Sequence, residues 1–564
     1  MKILIEEQHY PADLARDLCG DLGEPNKDGN LKVSRVGYFF NHKVSDCVIC
    51  LPKVVMFKKD GVHKAFGKYE PQEIVNAFSS DTEDEKNECK FDERAQAFIK
   101  DFALWSYRTI STYARLNPQS GIVYQSGSAK SEDLTQGTLL DVILMLIKFY
   151  NENKDYFMYI IMNIHSGYDR VNWRKTISRK TPIMQDGSPI YMEVINRRKQ
   201  INFDEELMII FYSILNYVAK HLGFDLRFEC NYDLITGAEF ESYMEELGLI
   251  RLRAIKYKYF SDKDLQMWNL CYAFFEKTSR INSSEHSEDY LFVTDFDKVF
   301  ESMMNALISD TEVHKRLVEQ KDGKIVDHIF MHESPIDSSK VYYIGDSKYY
   351  KTEDDIKGTA LYKQHTYAKN TIQFHIDRIN KGVEMEVKYR DEVTEGYSFI
   401  PNFFIGAYIP DDLSYEKTNI SHRNLDRKDS MLCHFSNRLF DRDTLWLNHY
   451  DVNLLYIMSI YAREDASEQN MFKTMFRNKV QKNFKEMLSH MYEFFWVIPA
   501  EPVEQFVETY FYRLNGRVYI PHWEEKRLLM ALEWKVSKEE SSDECINMKA
   551  FLEEKGARIE TFEL

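Results

Sequence analysis

Apolar and polar positions change period several times along the chain, and each change marks a different kind of element. Residues 36–40 and 46–57 are dense in β-branched and aromatic side chains, with Asn41-His42 between them as a turn. The first 75 residues or so therefore read as mostly β. A polar, acidic run over 79–88 follows as a loop. Helical spacing then takes over: a long helix over 91–116 that ends before Asn117-Pro118, and a second over 133–151 with Ser131 or Thr135 near its start. A weakly alternating stretch, 167–177, suggests a strand or hairpin. Beyond it come a helix over 204–222, stopped by Gly223, and a broken helical run over 240–277.

The polar stretch 283–289 is the best linker, and a domain boundary is placed there. After it the pattern predicts a helix over 296–308, a strand over 324–331, a polar loop over 333–339, a strand over 341–350 and a helix carrying Gln364. The last third mixes a strand over 397–409 with helices over 451–462 and 469–492. No internal repeat or low-complexity tract interrupts this order.

A chain of 564 residues exceeds one core, and roughly two to four domains are expected. The pattern divides it into a β-rich region with a long helix over 1–120, a helical and hairpin region over 121–285, an α/β core over 286–400 and an extension of strands and helices over 401–564. The fold class is α+β multidomain. With 44 % hydrophobic and 14 % aromatic residues the chain has ample material for packed cores, which excludes a disordered class.

Charge narrows the picture further. The formal net charge of −17 opposes free-standing binding to DNA, whose affinity comes mainly from phosphate neutralisation. A DNA-acting role would need a local basic strip, metal ions or a partner. Eight scattered cysteines include one close pair, Cys47 and Cys50, with no second pair at zinc-ligand spacing. They read as buried, reduced thiols, as in a cytoplasmic protein. No apolar segment is long enough for a membrane span, and no export signal opens the chain.

Candidate chemistry concentrates after the linker. On the second strand Asp346 and Lys348 are two apart, so they project to one face, and a hairpin can bring Asp327 beside them. Two carboxylates and a lysine at one point of a sheet repel and resist burial unless a cation compensates. Magnesium does so through carboxylate and phosphate oxygens, and it lowers the pKa of a bound water. Asp-x-Lys alone carries little, since Asp84-Glu-Lys86 matches it in an acidic loop. The apolar strand, the partner aspartate, and the helices with Glu301 before and Gln364 after give it meaning.

That order, an acid on a helix, an aspartate on a strand, Asp-x-Lys on the next and a helix bearing Gln, resembles the PD-(D/E)XK nucleases. The closer resemblance is to the nuclease subunit of LlaJI-type restriction systems, relatives of McrC. It is carried by Val36-Gly-Tyr38, Leu51-Pro-Lys53, Trp173 to Thr176, Pro189-Ile-Tyr191, Phe300-Glu301, Asp346-Ser-Lys-Tyr-Tyr350, and Lys363-Gln364 with Tyr367. The resemblance implies a partner-docking N-terminal region of mixed strands and helices, up to about 285, followed by a PD-(D/E)XK nuclease core. It implies catalytic residues Glu301, Asp327, Asp346, Lys348 and Gln364, with Asp327, Asp346 and Glu301 around the metal, Mg2+ or Mn2+ in its place. Val326 stands where the family's proline usually precedes the first aspartate. His328, His332 and His365 read as packing or phosphate-contact residues.

The resemblance further implies DNA as substrate and a McrB-like AAA+ GTPase as motor. The chain lacks the Gly-x-x-x-x-Gly-Lys-Ser/Thr phosphate loop, so it is not itself that motor. The best basic strip is Arg170, Arg174, Lys175, Arg179 and Lys180, followed by Arg197-Arg-Lys199, for DNA phosphates or the motor. Two other readings compete: a catalytically silent adaptor of an AAA+ NTPase, and a stand-alone repair or defence nuclease.

Overall fold

The computed structural model describes residues 1–12, 23–25, 30–41, 46–59, 62–78, 93–126, 137–154, 160–164, 170–200, 206–222, 232–259, 261–283, 289–320, 323–349, 358–383, 389–410, 420–423, 431–432, 435–521, 526–535 and 540–564, with isolated positions between them. The chain forms two compact units. One comprises 1–50, 75–82 and 114–294; the other comprises 51–74, 83–113 and 295–564.

The first unit is built on a five-stranded sheet in the order Lys2–Ile5, Asp46–Leu51, Val36–Asn41, Asp289–Val293, Val123–Gln125. Asp289 is its main polar anchor: it is buried and accepts from Tyr38 Oη at 3.1 Å, Ser126 Oγ at 3.2 Å and the Leu139 amide at 2.7 Å. The last bond pins the start of the Leu139–Glu152 helix, where orphan amides and the helix dipole favour a carboxylate. Thr138 and Asp141 close that helix end with a capping box. Cys47 and Cys50 are buried on a strand, as the spacing suggested.

This unit departs from the sequence reading in three places. The strand after the linker, Asp289–Val293, pairs with Val36–Asn41 and stays with the first unit, so the division falls at 294/295. Of the expected 167–177 strand or hairpin, 167–169 lie outside the described residues, Val171 makes a single bridge to Asn196, and Trp173–Arg179 is a helix capped by Asn172, whose Oδ1 accepts from the Lys175 amide at 3.3 Å. The four-segment division is also crossed, because 51–74 and 83–113 lie with the later unit. The acidic run 79–88, most of the 283–289 linker, and Ser131 and Thr135 lie outside the described residues.

The second unit contains the candidate chemistry. Its main sheet has strands β1 (His328–Glu333), β2 (Lys340–Lys348), β3 (Pro401–Tyr408), β4 (Ser421–Arg423), β5 (Met431–Leu432) and β6 (Leu445–Asn453). The spatial order is β1-β2-β3-β6-β4, and β5 also pairs with β6. β1 and β2 form an antiparallel hairpin, whereas β2, β3 and β6 are parallel neighbours. A parallel step needs a crossover, and helix α2 (Gly358–Ile379) supplies it between β2 and β3. Helices α1 (Phe296–Ile308), α3 (Leu454–Arg463) and α4 (Ala466–Met491) complete the layers.

Ring contacts show which face each helix covers. Tyr349 packs on Phe296 and Phe300 of α1, while Tyr343 and Phe403 meet Phe484 and Phe476 of α4. Tyr342 faces His375 of α2 on the opposite side. Gly345 permits this density: a Cβ there would lie 2.3 Å from the Phe403 ring. The long helix Glu93–Leu116 reaches α3 through Ser106 Oγ, 3.6 Å from Met458 Sδ. A smaller four-stranded sheet, Val518–Tyr519, Leu528–Glu533, Tyr492–Ile498 and Arg558–Thr561, closes the C-terminal part of this unit.

Candidate active site

The β1/β2 ladder sets the site. His328 pairs with Gly345, so Asp327, one step before β1, falls opposite Asp346. Asp327 Oδ2 accepts from the Ser347 amide at 3.2 Å, which fixes its carboxyl against β2. Two more contacts hold the approach to Asp327. The Tyr367 hydroxyl donates to the Ile325 carbonyl, and Asn370 Nδ2 on the same helix donates to Gln320 Oε1 at 2.7 Å. Helix α1 is fastened by Arg477, whose guanidinium donates to the Ile308 carbonyl at 2.7 Å and to Asp310 Oδ1 at 2.6 Å. Asp310 Oδ2 in turn accepts from the Met331 amide of β1 at 2.8 Å.

Asp346 is the electrostatic centre, only 1 % exposed. The Lys348 ammonium pairs with its Oδ2, and Lys363 Nζ of α2 lies 3.1 Å from Oδ1. Burial alone would push the Asp346 carboxyl up, but the hydrogen bond from Asp327 and the charges of Lys348 and Lys363 hold it below the usual carboxylate range. Asp327 behaves oppositely. Burial and the neighbouring Asp346 charge push it up to about 8, with Glu301 adding to the shift and Lys363 opposing it. Glu301 is also raised, by burial and then by Asp346 and Asp297. At neutral pH Asp327 therefore keeps its proton beside an ionised Asp346.

Of the five residues singled out in the sequence, four group here: Asp346 and Lys348 on β2, Asp327 beside β1, and Glu301 on α1 within the field of Asp346. Gln364 has a different task. It is fully buried, and its Nε2 donates to the Ile344 carbonyl at 2.7 Å and to Asn402 Oδ1 at 3.3 Å. It therefore ties α2 to β2 and β3. One residue earlier on the same helix, Lys363 faces the carboxylates and was missed; its signal was a lysine beside the glutamine, one helical step round. His328 is buried and neutral, with burial lowering its pKa to about 4, and its Nε2 meets Ser347 Oγ at 2.5 Å. His332 bonds Asn478 at 3.1 Å, so both imidazoles serve packing.

Chemically, the donor set suits a hard divalent cation. Two adjacent carboxyls with two lysines leave oxygens for a cation, and magnesium commonly takes one or two carboxylates and leaves its other positions to water and phosphate. Among the described residues no three His, Cys, Asp or Glu side chains form a ready cage. The protein would thus contribute the aspartate pair, with Glu301 reaching the surrounding water.

The basic strip lies in the first unit. Arg170, Arg174 and Arg179 are exposed, Lys175 is half-buried, and Lys180 pairs with Glu193. Trp173, Ile177, Ile183, Met184 and Met192 stand exposed around them. The side chains of Arg197, Arg198 and Lys199 lie outside the described residues. Among the described residues no helix is long and apolar enough to cross a membrane.

Residues 107–372 match the family model described as LlaJI restriction endonuclease. The matched span takes in Glu301, Asp327, Asp346, Lys348 and Lys363 and ends within α2, before β3 and β6. No curated protein and no solved structure matches the chain.

Proposed function

We propose, from the match of residues 107–372 to the LlaJI restriction endonuclease family model, that the chain is a magnesium-dependent DNA endonuclease of the PD-(D/E)XK type, the nuclease subunit of a two-component restriction system driven by a McrB-like AAA+ GTPase. The observation that carries this reading is geometric: Asp327 stands opposite the buried Asp346 across the β1/β2 ladder, its carboxyl held by the Ser347 amide, with Lys348 two residues along the same strand face and paired with Asp346. The topology is consistent with it: a hairpin, a crossover helix and a parallel strand, with the acids at the strand ends.

Asp327 and Asp346 would hold the ion, with Glu301 orienting its water. Magnesium, or manganese in its place, supplies a Lewis acid for the scissile phosphate and a bound water of lowered pKa. Lys348 would orient the attacking water and balance charge as the water oxygen bonds to phosphorus and the backbone P–O bond breaks. Lys363, with its side chain 41 % exposed, can meet a phosphate oxygen at the mouth. The net charge of −17 supports a partner-supplied grip on DNA. The exposed apolar residues around Arg170, Arg174, Lys175, Arg179 and Lys180 support a docking role for that surface. Such a system meets invading DNA in the cytoplasm.

The test is cleavage of duplex DNA by the full chain, alone and with a McrB-like AAA+ GTPase, with and without GTP and magnesium. Cleavage that needs all three is expected. Robust GTP-independent cutting by the chain alone would favour a stand-alone nuclease, and no cutting under any condition would favour a silent adaptor.

A further inference from the structure

The same face of the main sheet carries a second polar group that the chemistry above does not use. The parallel register places Lys348 beside Gly406 and Gly406 beside Asp451; one step back, Asp346 stands beside Phe404 and Phe404 beside His449. Partners across a ladder point to one face. Asp346, Lys348, His449 and Asp451 therefore share a face, at the carboxyl ends of the three parallel strands. The rings agree: Lys348 Nζ is 5.4 Å from the Phe404 centroid, and the Phe404 and His449 centroids are 6.3 Å apart.

His449 and Asp451 are 3 % and 4 % exposed, with His449 Nε2 3.5 Å from Asp451 Oδ1. Neither ring nitrogen of His449 has a hydrogen-bond partner among the described residues. Gly406 explains how the pair fits. A Cβ at 406 would lie 2.5 Å from Asp451 Oδ1 and 3.2 Å from His449 Nε2. The Asp451 carboxylate thus leans across β3, over the glycine, toward Lys348. Adjacent strands are about 4.8 Å apart, so a carboxylate seated over β3 is within reach of a lysine on β2.

In the structure the Lys348 ammonium pairs with Asp346. Once Asp346 is committed to a divalent cation, that ammonium faces repulsion and needs another counter-charge. We propose that Asp451, seated beside His449 and admitted by Gly406, then receives the Lys348 ammonium and fixes where the lysine stands during hydrolysis. Asp451 is in this sense a positioning residue. The proposal rests on the metal centre proposed above.

Binding of Mn2+ to the full chain, without DNA and read by electron paramagnetic resonance, tests it. Asp451→Asn should weaken Mn2+ binding by about tenfold, a coupling usual for side chains in contact, because the displaced ammonium has lost its acceptor. In a Lys348→Met background, where no ammonium must move, the same substitution should change binding less than about twofold. An equal loss in both backgrounds would overturn the proposal, since a merely structural Asp451 behaves that way. If Asp451→Asn does not fold, Gly406→Ala displaces the carboxylate without changing charge and should show the same dependence on Lys348. Asp346→Asn is the separate arm for the metal centre: unchanged Mn2+ binding there would overturn both that centre and this inference.

Discussion

Asp327→Asn isolates the charge conflict at the heart of the site. In the metal-free protein burial and Asp346 push the Asp327 carboxyl up to about 8, against 3.8 for a free side chain. A carboxyl raised on folding favours the fold while it keeps its proton. That contribution is complete below pH 3.8 and is lost as pH rises through about 8. One proton gives a slope of at most ~1.4 kcal/mol per pH unit. Allowing for saturation near the upper limit, wild type should lose about 2 kcal/mol between pH 6 and pH 8. The amide of the Asp327→Asn variant cannot ionise, so that protein should lack this loss. Titration elsewhere, including the buried imidazoles, cancels in the difference between the two proteins. Asp346 does not enter the window, because its carboxyl is held below the usual range. The assay is denaturant unfolding of both proteins at pH 6, 7 and 8, with chelator and with magnesium. Magnesium takes the place of the proton, so it should restore wild type most at pH 8 and do little for the variant. Parallel pH profiles for the two proteins, or equal stabilisation of both by magnesium, would refute the retained-proton account.

Other substitutions separate roles. Lys348→Ala should lower single-turnover cleavage by on the order of a thousandfold while the chain stays folded. Asp346→Asn should abolish cleavage and also cost roughly 3 kcal/mol in a urea melt, because it leaves the Lys348 and Lys363 ammonium groups without their counter-ion. From the sequence alone the hairpin is expected to fold equally well without that side chain. Gln364→Leu should cost about 2 kcal/mol by stripping the Ile344 carbonyl and Asn402 of a buried donor, with Mn2+ affinity unchanged. Arg174→Glu with Lys175→Glu should weaken pull-down of DNA or of the AAA+ partner and leave Mn2+ binding intact.

The strand pair at the site was legible because period two needs only local sequence: an apolar run ending in Asp346-Ser-Lys348 forces both polar side chains to one face. Helices with long apolar stripes, Glu93–Leu116 and Glu206–His221, were legible for the same reason. β6 was not. Its nine residues, Leu445–Asn453, are all buried and run directly into α3, so Asp451, on the strand, was read as the start of the helix. The polar residues His449 and Asp451 carry no strand signal by themselves; only the register across Gly406 gives them a direction. The unit boundary was misplaced for a related reason, since Asp289–Val293 pairs with a strand some 250 residues earlier, which no local window can register. Gln364 and Lys363 show the limit on side chains: adjacent positions on α2 differ by about 100°, and the sequence did not reveal which one turns to the carboxylates.

The most direct test of the metal centre is anomalous scattering from a crystal of the chain soaked in Mn2+. A peak bridging the Asp327 and Asp346 carboxylates, absent in Asp346→Asn, is predicted. A Mn2+ peak away from this pair, or one that survives Asp346→Asn unchanged, would contradict the account.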